Sequence, residues 1–189
     1  MSAIEARLAE LSISLPEPVA PVANYVPFVR TGNQVFLSGQ VSIGPDGLVA
    51  GTLGGDMDLE AGQAAARLCG INLIAQMKAA CEGDLERVKR VVRLGGFVAA
   101  APSFTDIPKV VNGCSDLMVD VFGDKGRHAR SAVSCPVLPL GAAVEVDRGG
   151  EFIRDDFRLR DFPAIMGGWD RPNPPRWSPN GSQIGYLKR

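Results

Sequence analysis

A single histidine, His128, stands in the whole of the 189-residue chain. Any site that needs two imidazoles is thereby excluded, the HExxH zinc proteases among them, and a Ser-His-Asp or Cys-His mechanism would depend on that one residue. Charge of one sign is also lacking, because 20 Lys and Arg stand against 21 Asp and Glu for a formal charge of -1. With no basic excess to hold a phosphate backbone, nucleic acid is not an expected partner. Long apolar runs are missing too. Gly, Arg, Gln or Asp breaks each stretch well short of the ~20 residues that span a bilayer, so no membrane association is expected. The opening Ser2-Ala3-Ile4-Glu5 has neither the basic start nor the apolar core of a secretory signal, which makes the expected location cytoplasmic. Four cysteines, Cys69, Cys81, Cys114 and Cys135, lie far apart and mostly inside apolar runs, and read as reduced small hydrophobes. No GxxxxGKS/T loop, GxGxxG after a strand, CxxC pair or GxSxG elbow occurs, so no metal or cofactor motif is found.

What is present, 46% hydrophobic and 22% charged residues, suits one globular domain with an appendage. Ser2 with Glu5 forms a capping-box pattern, and Ile4, Leu8 and Leu11 share a helical face, predicting a helix over 3–11. Pro16, Pro18 and Pro21 mark an extended connector over 16–23. Alternating residues over 25–29 and 34–40, split by Thr31-Gly32-Asn33, predict a hairpin. Gly44-Pro45-Asp46-Gly47 signals a turn. Asp58 offers a cap for a long helix over 59–81 that stops at Gly83. The β-branched run over 88–100 predicts a strand despite Gly95 and Gly96, and Thr105 with Pro108 opens a second long helix through Phe122. Strands near 129–133 and 142–147 complete the order.

Each long helix falls between strands, as a crossover requires, so the expected class is α+β with helices on one sheet face. The other face would be left bare and apolar, which predicts oligomerisation. Asp147-Arg148-Gly149-Gly150 is expected to break the last strand. Residues 148–189 then carry six glycines, five prolines and both tryptophans, with eight basic and five acidic residues, and show no periodicity. The domain reading is therefore an N-terminal helix over 1–15, a central domain over 16–147 and an irregular extension over 148–189.

Chemistry-bearing candidates are polar residues on strands. Arg130 lies in His128-Ala129-Arg130-Ser131-Ala132-Val133 and Glu145 sits between Val144 and Val146. Taken singly, each fits the solvated face of a strand. Their setting is more telling: Tyr25-Val26, Gly32-Asn33, Ser38-Gly39-Gln40, Val110-Val111-Asn112, Ala129-Arg130-Ser131, Leu138-Pro139 and Val144-Glu145-Val146 together resemble the RidA (YjgF-like) family of enamine/imine deaminases over about residues 20–147.

The resemblance implies a chorismate-mutase-like fold, a mixed β-sheet with two long helices on one face, and a homotrimer whose sheets surround the central axis with a site in each cleft between subunits. It implies hydrolysis of reactive 2-imino acids to 2-keto acids and ammonia with no cofactor. Carried over residue by residue, Arg130 binds the substrate carboxylate and Glu145 activates water. Tyr25 closes the pocket, and Ser38, Gly39, Asn112, Ser131 and Ala132 line it. The chain departs from the family where His128 replaces a proline and Ala132 a cysteine, and the N-terminal helix belongs to a divergent branch. The alternative is a non-catalytic binder of 2-keto acids or related carboxylates.

Overall fold

Along the strands of this chain large apolar residues alternate with glycine and polar residues, and that period of two decides which sheet face each strand buries. The computed structural model describes residues 2–18 and 24–152. Helix α1 spans Ala3–Glu10 and starts where the Ser2 hydroxyl accepts the Glu5 N–H at 3.2 Å. Glu5 turns its carboxylate to Lys78 at 2.8 Å instead of back to the cap. Ile4 and Leu8 of this helix are buried in the same core as the sheet.

Strands β1 (Phe28–Thr31) and β2 (Gln34–Val41) form the predicted hairpin about Gly32, whose φ of 56° suits a residue without Cβ. A small hairpin, β3 (Ile43–Gly44) and β4 (Gly47–Leu48), encloses the Pro45-Asp46 turn. Helix α2 (Leu59–Ala80) begins at Asp58, which accepts the Ala61 N–H at 2.8 Å. Strand β5 (Arg93–Ala99), helix α3 (Ile107–Phe122), β6 (Ala129–Cys135) and β7 (Val144–Phe152) follow. The five-stranded sheet runs β1-β2-β7-β5-β6; β5 and β6 are parallel across the α3 crossover and the other pairs antiparallel. No helix among the described residues is long and apolar enough to cross a membrane.

Three local expectations are corrected. The run predicted as a strand from 88 enters the ladder only at Arg93, after a short 3-10 turn at Leu85–Arg87; Val88 and Val91 are apolar because they are buried. Helix α3 takes Asp106, not Thr105, as its N-cap, without a side-chain bond. Strand β7 does not stop at Asp147: Leu94 and Arg93 of β5 pair with Arg148 and Gly149, and beyond the glycines Val35 and Gln34 of β2 pair with Glu151 and Phe152. Residues 19–23 of the proline-rich connector and 153–189 of the predicted extension lie outside the described residues.

Leu73, Ile74, Met77, Leu117 and Met118 are fully buried between sheet and helices, each contributing about 1.5–3 kcal/mol. The helices approach closely because small residues line their contact. A Cβ on Gly70 would sit 2.8 Å from Leu117 Cδ2, and one on Gly113 would strike the Gln63 carbonyl. Gly96 performs the same service for the sheet, since its Cβ would lie 2.6 Å from Val111 Cγ2 of α3. Gly113→Ala therefore sets a gain of about 1 kcal/mol in helix propensity against about 1–3 kcal/mol for prising a helix from backbone that cannot yield. The expected outcome is a lower urea midpoint at unchanged m-value. A midpoint equal to or above the wild type's would show that the contact yields.

Candidate functional site

Parallel register opposes Arg130 to Leu94 and Ala132 to Gly96, so both side chains project to the helix-covered face of the sheet. Ala132 packs against the core there. Arg130, on the edge strand β6, reaches α3, where Asn112 and Ser115 are three residues apart and share a helix face. Its Nη1 donates to Asn112 Oδ1 at 2.9 Å and to Ser115 Oγ at 2.9 Å. Those bonds use both hydrogens of Nη1, and Nε and Nη2 have no partner among the described residues. Ser115 Oγ also lies 3.1 Å from Nε2 of His128, whose Nδ1 is 2.6 Å from the Gly126 carbonyl. A carbonyl only accepts, so Nδ1 carries the proton and Nε2 accepts from the serine hydroxyl. Burial lowers the His128 pKa, the Arg148 and Arg130 charges push the same way, and the Gly126 bond opposes them. Ser115 and His128 fall outside the residues singled out for the site. The Asn112/Ser115 spacing and the His-x-Arg alternation are the signals that could have found them.

The second group occupies the opposite face. Antiparallel register sets Glu145 against Phe97 and Asp147 against Gly95. An irregularity in the β2–β7 pairing between Leu37 and Gln40 brings Gly39 beneath Glu145, and a Cβ there would coincide with the carboxylate. Only glycine leaves that space. Glu145 is half-buried and takes no hydrogen bond from any described residue; burial raises its pKa and the nearby Asp147 charge adds to the rise. Asp147 lies over Gly95 and pairs with Arg93 at 3.8 Å. Arg93 Nη2 donates to Ser131 Oγ at 3.3 Å, so Ser131 belongs to this face and not beside the Arg130 guanidinium. Ser38 donates its hydroxyl to the Val26 carbonyl at 2.7 Å and its N–H to the Pro27 carbonyl at 2.9 Å. These bonds tie the segment of Tyr25, itself 53% exposed, to β2.

The candidate residues thus fall into two groups. Arg130 with Asn112 lies on one face at the sheet edge; Glu145 with Gly39 lies on the other, two strands across and three residues along, or roughly 14 Å in the sheet plane. A molecule of imino-acid size cannot touch both within a single chain. Three of the four thiols, Cys69, Cys81 and Cys114, are buried, and burial pushes the Cys114 pKa up to about 12. No group of three or more His, Cys, Asp or Glu side chains suited to a metal ion occurs among the described residues.

Residues 5–148 match the family described as "YjgF/chorismate_mutase-like, putative endoribonuclease". The chain is 50% identical over 148 residues to Protein TCP17 of Trypanosoma cruzi, a match covering 76% of this chain and 91% of that one. It is 30% identical over 137 residues to a 2-iminobutanoate/2-iminopropanoate deaminase of Dermatophagoides farinae, covering 71% and 91%. Among solved structures, Atu1372 of Agrobacterium tumefaciens, a protein of unknown function, is similar with a TM-score of 0.73 and 45% identity over 79% of this chain and 93% of its own. With its mixed sheet backed by two long helices and the family match spanning most of the described residues, the chain belongs to the YjgF/RidA-like family.

Proposed function

We propose that this protein hydrolyses reactive 2-imino acids, or their enamine tautomers, to 2-keto acids and ammonia, at a cleft completed by a second copy of the chain. The observation that carries this reading is the pair of half-sites: a guanidinium with one edge available for a carboxylate, and a half-buried carboxylate with no hydrogen-bond partner among the described residues. The identity to an iminobutanoate/iminopropanoate deaminase supports it. Exposed apolar residues on β1, β2 and β6, Val29 at 52%, Phe36 at 43% and Val133 at 47%, support burial between copies. A closed ring of three would seat the Arg130 edge of one subunit against the Glu145 face of the next.

The chemistry asks little of the protein. A protonated imine already has an electrophilic carbon, so the barrier lies in orienting water and moving its protons. Arg130 binds the substrate carboxylate through two charge-assisted hydrogen bonds and fixes the imine carbon in place. Glu145 takes a proton from water as its oxygen attacks that carbon. The carboxyl then returns the proton to nitrogen, the C–N bond breaks, and the C=O bond forms as the hydroxyl proton leaves with the nitrogen. An iminium carboxylate and water become a 2-keto acid anion and ammonium, with atoms and charge conserved. The raised pKa of Glu145 suits a group that must accept a proton and give it back.

The direct test is ammonia release from enzymatically generated iminopropanoate and iminobutanoate. Wild type should exceed spontaneous hydrolysis, and Arg130→Ala should lower kcat/KM about 10²-fold, the loss of a paired charge-assisted contact of about 3 kcal/mol. Binding of 2-oxobutanoate without accelerated release would replace catalysis with the carboxylate-binding reading. Sedimentation equilibrium should give the mass of three chains; a monomer that turns over would refute the shared cleft.

Glu145 also makes a pH prediction. Its folded pKa lies above the unfolded value, so the native state binds more protons and stability falls as pH rises from the ordinary carboxylate range through the raised value. Glu145→Gln should therefore be more stable than wild type at neutral pH, equal to it in acid, and inactive. Asp147→Asn should move the acid limb of the rate profile to lower pH, because one cause of the rise is removed. An unmoved limb would assign the rise to burial alone.

A further inference from the structure

Four hydrogen bonds join Gly126, His128, Ser115, Arg130 and Asn112 in series. We propose that His128 and Ser115 are positioning residues for Arg130. His128 holds Ser115, and Ser115 with Asn112 takes both hydrogens of Nη1, which leaves the Nε–Nη2 edge of the guanidinium as the one that clasps the substrate carboxylate. The inference rests on the deaminase reading and assigns the geometry of its anchor.

The series has a single polarity. Gly126 offers a carbonyl, so His128 must donate from Nδ1 and accept at Nε2. The one hydroxyl proton of Ser115 is committed to Nε2, which turns its lone pairs to Arg130. Two bonds to one nitrogen set both the position and the plane of a rigid fork. Of the five N–H donors of arginine, the three that remain lie on Nε and Nη2. That edge matches the two oxygens of a carboxylate side-on. An arginine held this way binds without first giving up the rotamer freedom of a loose side chain.

Protonation of His128 would break the polarity. Nε2 would become a donor, the serine proton would lose its acceptor, and an imidazolium would stand one hydroxyl away from the guanidinium. The charged groups facing His128 are Arg130 from β6 and Arg148 from β7, with only the neutral Ser115 from α3, so the surroundings oppose that charge. The neutral, correctly tautomeric histidine is thus the form in which the anchor is aligned.

The test combines kinetics with an observable independent of turnover. His128→Leu and Ser115→Ala should each raise KM for the imino acid about tenfold, the worth of one hydrogen bond to a charged group, with kcat within about twofold. The double variant should be no worse than either single variant, because both break one series. His128→Gln, whose side-chain oxygen can accept where Nε2 did, should recover most of the loss. Since the chain has one histidine, its imidazole nitrogens give one unambiguous NMR set, expected to show the Nδ1–H tautomer. The Arg130 Nε–H signal should be rigid in wild type and mobile in Ser115→Ala. Additive KM effects, or an Arg130 equally ordered in the variants, would overturn the proposal. A wild type without deaminase activity would sink the underlying reading alone, since the tautomer and Arg130 order still decide the positioning.

Discussion

The register of β5 against β7 is the constraint from which the rest follows. Gly96 opposes Val146 and Gly95 opposes Asp147, so consecutive glycines serve opposite faces of the sheet. Gly96 admits Val111 of α3 and lets a helix lie directly on the strand, while Gly95 admits a carboxylate on the other side. A slip of one residue would send Val144 and Val146 to the bare face and drive Glu145 and Asp147 into the core. Parallel pairing of β6 on β5 then orients Arg130, and antiparallel pairing of β2 on β7 brings Gly39 under Glu145.

Close approach through missing side chains recurs through the fold. Gly70 and Gly113 bring α2 against α3, and that contact holds α3 where Asn112 and Ser115 can reach the edge strand. The setting of Arg130 on β6 therefore depends on apolar packing one layer below it. Glu145 is served differently. Its raised pKa comes from partial burial and a like-charged neighbour, both of which disfavour the charged carboxylate. Arg130 and Glu145 thus sit in opposite settings, one with part of its donors satisfied and the other without a hydrogen bond from any described residue.

Placing these groups on opposite faces has a consequence for assembly. Sheet alternation cannot bring Arg130 and Glu145 to one small molecule within a chain, whereas an isologous or cyclic contact between copies can join the edge of one sheet to the face of another. The proposed activity and the proposed oligomer are for this reason one hypothesis, and the apolar residues left exposed on β1, β2 and β6 belong to both.

The hairpin at Gly32, the Asp58 cap, both long helices and the α+β class were legible in the sequence, because periodicity, capping and turn chemistry act over a few neighbouring residues. Arg130 and Glu145 stood out as polar residues on strands and the other candidates were named through the family resemblance, but which of them meet within the chain could not be read. Tertiary structure alone separated Ser131 from Arg130, joined Ser115 and His128 to it, and set Glu145 over Gly39. It also carried β7 past Asp147, where local preference argued for a stop, since pairing with β5 as far as Gly149 and with β2 at Glu151 and Phe152 outweighs the weak strand propensity of Gly149 and Gly150. Local sequence determined which elements form, because their signals lie within a turn or two of chain. Pairing register and helix approach decided which side chains meet, because those depend on residues tens of positions apart.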